Sequence, residues 1–198
     1  MKSKHLVIVV LAIALLLSIA ACAGNTDNQQ NSDSIENQAS NTAITPAVPF
    51  EAVPGETIDA GNIHAVCPDG WFNSPVSDMF SGEAGALDAD KLMFLKGTDD
   101  SWSYAPCVSI SFYGKDREVM PYEEQMDFYD NAVILEPFMI GETVWEGLSY
   151  NVSDDVVEAV ISIQNVGAFN VLVRLEGEGQ VISFADADVQ TILSSIAY

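Results

Sequence analysis

Positive charge is scarce in this chain. Against 29 Asp and Glu there are only 7 Lys and Arg, for a formal net charge of −22. Nucleic-acid surfaces work by neutralising phosphates with basic side chains, so partners of that kind are excluded. An anionic membrane surface would repel such a domain as well. Cations and basic proteins are what it would attract. Histidine is scarcer still, with only His5 and His64, and there are three cysteines, Cys22, Cys67 and Cys107. His64, Cys67 and Cys107 together fall short of a four-ligand zinc site. His64 and Cys67 stand three apart, which on a strand turns them to opposite faces and rules out a Cys–His couple. The chain has no G-x-S-x-G, no P-loop and no G-x-G-x-x-G,. No catalytic residue, metal site or cofactor can be named from it, so the expectation is a non-enzyme. Past residue 21 there is no apolar run near the roughly 20 residues that a membrane span requires,.

The opening segment is of a different kind. Met1-Lys2-Ser3-Lys4-His5 precedes an apolar run from Leu6 to Leu17, the layout of a secretory signal,. It ends in Ile19-Ala20-Ala21-Cys22. That tetrad resembles the bacterial lipobox: an aliphatic residue, two small ones that let a peptidase reach the scissile bond, then a thiol to take a diacylglycerol. The resemblance implies cleavage before Cys22 and lipidation of Cys22. Acyl chains contribute about 0.8 kcal/mol per buried CH₂, so two of them anchor stably. The implied address is the extracytoplasmic face of a membrane, held by lipid. From Ala23 onward the chain is Asn, Gln, Ser, Thr and Asp with hardly an apolar residue, which cannot offset the entropy of ordering,. Pro46, Pro49 and Pro54 then stiffen the approach,. The expected division is a signal peptide at 1–21, a lipidated Cys and disordered tether at 22–49, and a single domain at 50–198.

Within that domain the hydrophobic periodicity marks six strands and two helices. The strands are Ile63 to Cys67, Leu92 to Leu95, Val108 to Phe112, Thr143 to Val152, Val156 to Gln164 and Phe169 to Glu176,. Gly147 reads as a bulge within the fourth. Pro68 and Gly70 turn the chain after the first, and Trp71 and Phe72 re-enter the core. "MPYEEQMDFYDNAV" predicts a helix opened by Pro121, with Tyr122, Met126, Tyr129 and Val133 on one stripe,. Ser183 with Asp186 is a capping-box-like start to a closing helix carrying Val189, Ile192, Leu193 and Ile196,. The order β-β-β-α-β-β-β-α with short links argues for an antiparallel sheet with helices against it, an α+β domain.

Cys67-Pro68-Asp69-Gly70-Trp71 is similar to the aliphatic-x-Pro-x-Gly-Trp opening of the PsbP-like fold. That fold is shared by the extrinsic PsbP proteins of photosystem II and the Ran-binding Mog proteins. Ile192-Leu193-Ser194-Ser195-Ile196 also looks like that family's final helix. The resemblance implies a binding or assembly protein, and no functional residue carries over from it, because fold does not imply function.

A few residues remain to be weighed as sites. Cys67 and Cys107 either bridge, which would stabilise by roughly 3–4 kcal/mol in the chain-entropy model, or stay as two buried thiols. Trp102, with Tyr104 in the polar loop "TDDSWSY", is the aromatic least accounted for by a core and the first choice for a ligand contact. Asp88 with Asp90, Asp99 with Asp100, Asp154 with Asp155, and Asp186 with Asp188 could offer oxygens to Ca²⁺, but none has the spacing of an EF-hand loop,. The leading expectation is therefore a lipid-anchored binding or assembly module, whose partner is an envelope protein or a cation. A Ca²⁺-dependent surface protein, or a carboxylate hydrolase of envelope polymers with two acids across a cleft, stands behind it.

Overall fold

The computed structural model describes residues 49–118 and 120–198. The expected signal peptide, the expected lipobox with Cys22, and nearly all of the expected tether lie outside the described residues. Among those described, no helix is long and apolar enough to cross a membrane.

The architecture is α+β, and the sheet is larger than the pattern predicts. A two-stranded hairpin, β1 (Gly55–Asp59) and β2 (His64–Pro68), precedes the main sheet. Gly70, at φ 84°, then turns the chain where only glycine sits without strain,. The main sheet has nine strands. They are β3 (Trp71–Asn73), β4 (Lys91–Lys96), β5 (Cys107–Phe112), β6 (Val133–Ile134), β7 (Phe138–Ile140), β8 (Thr143–Ser153), β9 (Val156–Ile163), β10 (Phe169–Gly177) and β11 (Gln180–Val181). Their spatial order is β3-β4-β5-β10-β9-β8-β6, with β7 also on β8 and β11 on β10. Every pairing is antiparallel. The strand predicted at Ile63 to Cys67 lies in the separate hairpin, paired with the unpredicted β1, and the extra strands of the main sheet have two or three residues, too short for any alternation to mark them,.

Period-two alternation splits the sheet into two unlike faces. Leu92, Phe94, Val108, Ile110, Ala159, Ile161, Val171 and Val173 point one way, into the main core. There they meet Ile63, Ala65 and Cys67 of the hairpin region and Val189, Ile192 and Leu193 of α2 (Ala187–Ser194). The intervening register positions Leu95, Cys107, Ser109, Leu172, Arg174, Glu158 and Val160 point the other way. A strap covers part of that second face. It contains α1 (Tyr122–Gln125) and a 3₁₀ turn (Met126–Phe128). Tyr122, Met126, Tyr129 and Ala132 of the strap pack on Leu148, Tyr150 and Val160, with the rings of Tyr129 and Tyr150 stacked at 4.2 Å.

Four local expectations change. The predicted helix stops at Phe128: Tyr129 is extended at φ −130°, and Asn131 turns at φ 55°. Its stripe still packs as far as Tyr129, but Val133 leaves it for the exposed strand β6. Gly147 lies in unbroken register opposite Ile161, and the bulge falls between Asn151 and Ser153. Glycine is required at 147 because an added Cβ would run into the Val160 carbonyl oxygen. Phe72 sits at the edge, 43% exposed, while Trp71 is buried. Finally, Asp186 is the N-cap of α2, and its carboxylate accepts from the Ser183 N–H and hydroxyl, closing the turn before the helix instead of a capping box.

Candidate functional site

The second face carries an open cleft of about 440 Å³ at one end of the sheet, within the size range of small-molecule sites,. Its floor is Val160 and Ser162 of β9 and Asn170 of β10, and it is also bordered by Phe169, whose side chain belongs to the main core. One wall is the segment after β5, with Tyr113, Arg117 and Glu118; the other is the strap, with Met120, Tyr122, Glu124 and Gln125. The local sequence explains the space. The apolar run "VVEAVISI" of β9 breaks on one parity, with Glu158 and Ser162 flanking Val160. A strand whose second face were fully packed would carry apolar residues there. Gly167, in the loop between β9 and β10, lets the segment around Arg117 cross close above it, since an added Cβ would meet the Arg117 carbonyl oxygen.

Hydrogen bonds fix the walls. The Tyr122 hydroxyl donates to Ser162 Oγ at 2.8 Å, both groups buried. Burial pushes the Tyr122 hydroxyl up to about 12, so it remains a neutral donor and not a base,. The Tyr113 hydroxyl donates to Asn170 Oδ1 at 3.2 Å, and Gln125 Nε2 donates to the Met120 carbonyl at 2.8 Å. The Arg117 guanidinium lies over the Tyr113 ring, 4.5 Å from its centroid. Ser162 is the hydroxyl on the cleft floor. Its partner is a neutral phenol, whereas nucleophilic activation needs an adjacent base. His64 stands elsewhere, exposed on β2.

One step further along β9 the same face buries an ion pair. Arg174 Nη2 lies 2.9 Å from Glu158 Oε1, and the Tyr150 hydroxyl donates to the other carboxylate oxygen at 2.9 Å. The Tyr104 ring covers the guanidinium at 5.1 Å, and the Ser103 and Ala105 carbonyls accept from it at 3.4 and 3.3 Å. The loop of Trp102 thus serves the fold by closing over Arg174. Trp102 itself is 90% exposed and Tyr104 half-exposed. Both stand beyond the Cys107 end of β5, whereas the cleft adjoins its Phe112 end, roughly 17 Å away at the usual rise per residue,. The structure therefore does not bring Trp102 and Tyr104 into the cleft.

Cys67 and Cys107 are free and buried, one in the main core and the other on the opposite face of the sheet beside Arg174. Burial pushes the Cys67 thiol up to about 11, with Glu56 adding to it; burial also raises Cys107, which Arg174 partly opposes. Among the described residues no three His, Cys, Asp or Glu side chains gather to hold a metal ion. The acids with expected spacings hold turns and pairs instead. Asp88 pairs with Lys91 at 3.2 Å, and Asp100 accepts from the Trp102 N–H. Asp154 and Asp155 form the turn between β8 and β9. Asp188 accepts from Trp71 Nε1 and pairs with Lys96, both at 2.8 Å. Its burial would raise its carboxyl, but these partners outweigh that and hold it below the ordinary value.

Sequence reasoning missed the cleft and its residues Tyr113, Arg117, Tyr122 and Ser162. The legible sign was the parity break of β9. No protein-family model, no curated protein and no solved structure matches the chain.

Proposed function

We propose that the protein is a lipid-anchored extracytoplasmic binding module that receives a small ligand in the cleft beneath the strap. The observation that carries this is the half-open second face: a cleft of about 440 Å³ lined by hydrogen-bonding and apolar groups, on a sheet whose other face is closed. The module is non-catalytic, since the floor hydroxyl, Ser162, is held by a neutral Tyr122. Its placement rests on Ile19-Ala20-Ala21-Cys22 and on the polar spacer that follows. The finer fold reading is PsbP-like; the Pro68-Asp69-Gly70-Trp71 turn and a closing helix packed on an antiparallel sheet support it.

Two measurements test the proposal. Mass spectrometry of the membrane-extracted protein should find an N-terminal diacylglyceryl Cys22; an unmodified Cys22 with the leader attached would remove the anchoring. Ligand-observed NMR with a fragment library on the detergent-solubilised full chain should find binders. Asn170→Trp, which fills the cleft from a rigid strand, should abolish them. Binding that is indifferent to this substitution would move the function away from the cleft.

A further inference from the structure

The charges at the cleft come in both signs. Of the bases Lys91, Lys96, Lys115, Arg117 and Arg174, three are neutralised by carboxylates: Lys91 by Asp88, Lys96 by Asp188 and Arg174 by Glu158. Lys115 and Arg117 form no ion pair among the described residues, although acids far outnumber bases in the chain. Both stand in the segment bordering the cleft, set over the rings of Tyr198 and Tyr113 at 5.9 and 4.5 Å. An aromatic face fixes a cation in position without cancelling its charge. A guanidinium held this way keeps its planar fork for a carboxylate. Arg117 lines the cleft itself, and so do Glu118 and Glu124, which are exposed and likewise form no ion pair among the described residues.

This arrangement selects among ligand classes. A polyanion meets Glu118, Glu124 and the acidic whole. A simple cation meets Arg117. An apolar molecule draws water from three charges and returns no partner to any of them. Resting on the cleft as the ligand site, we propose that its ligand is a small zwitterion, an amino acid or a short peptide with free termini. The carboxylate engages Arg117, the ammonium engages Glu118 or Glu124, and the ligand's side chain lies against Val160 and the Tyr113 ring.

The test is calorimetry on the detergent-solubilised full chain with three probes: alanyl-phenylalanine, its N-acetyl derivative and its C-terminal amide. The free dipeptide should bind, and each capped form should bind about tenfold more weakly or worse, the effect of losing one charge-assisted hydrogen bond. Arg117→Gln should weaken the free dipeptide by a similar factor and leave the amide unchanged. Glu118→Gln combined with Glu124→Gln should weaken the free dipeptide and leave the N-acetyl form unchanged. All three side chains are exposed, so these variants keep the fold. Equal binding of capped and free peptides, or no peptide binding at millimolar concentration, overturns the zwitterion. If fragments sensitive to Asn170→Trp still bind in that case, the cleft stands as a ligand site for another class; if none binds, both proposals fall.

Discussion

The two faces of the main sheet are built from the same strands and differ in almost everything else. One is apolar, closed by the β1–β2 hairpin and α2, with Phe94, Ile110, Ile161, Val171 and Ile192 fully buried. The other buries an ion pair and a phenol–hydroxyl pair, and is covered in part, by the strap at one end and by the loop of Tyr104 over Arg174 at the other. The contrast teaches a division of labour. Cohesion comes from the closed face, through apolar area removed from water. The open face gives up part of that area and in return has polar groups fixed on rigid strands, where a ligand can reach them.

The contrast can be broken most severely from the closed side. Phe94→Ala should destabilise by about 3–5 kcal/mol, read as a fall in the urea midpoint, because it opens a cavity in a core that cannot collapse into it. On the open face, Arg174→Met should cost about 3 kcal/mol, since it strands the buried Glu158 carboxylate without its partner,. The companion variant Arg174→Met with Glu158→Leu should recover much of that loss. If the single variant proves neutral, the open face contributes nothing through this pair.

Smaller effects sharpen the comparison. Tyr122→Phe removes the strap's bond to Ser162 and should cost about 1 kcal/mol,. It should also raise hydrogen exchange in the strap and leave α2 protected. The same residue enters the pH dependence. Cys67 is raised from 9.0 to about 11 and Tyr122 from 10.0 to about 12, so the folded state favours their neutral forms. Their contribution is therefore complete below pH 9 and declines as pH rises from about 9 to 12. Urea midpoints taken from pH 8 to 12 should fall in that window, and Tyr122→Phe should flatten its upper part. Trp102→Ala is the smallest perturbation: with 90% of its surface in water, it should change stability by no more than about 0.5 kcal/mol,. A larger loss would mean that the loop over Arg174 depends on it.

The closed face was the legible one. Val108-Ser109-Ile110 alternates as a half-buried strand does, and Val189, Ile192 and Leu193 mark the face of α2 that packs on the sheet. What escaped was structure set by tertiary context. Strands of two residues, such as Val133–Ile134, exist because β8 is there to pair with them. The strap kept its apolar spacing only to Tyr129, because Tyr129 and Asn131 leave the helical region. The cleft escaped because Ser162 lies 40 positions from Tyr122 in the chain and meets the Arg117–Tyr122 stretch only when the strap crosses β9. Spacing also left the cysteines open between a bridge and two thiols; their positions on opposite sides of the sheet correspond to the second.

Strand β10 pairs with β5 on one edge and β9 on the other. Everything from β3 to β5 and everything from β6 to β9 is thus joined through a stretch near the end of the chain. Among the described residues no other pairing joins the two halves of the sheet. Without β10, β5 and β9 would each keep an open edge, so neither half completes the sheet alone.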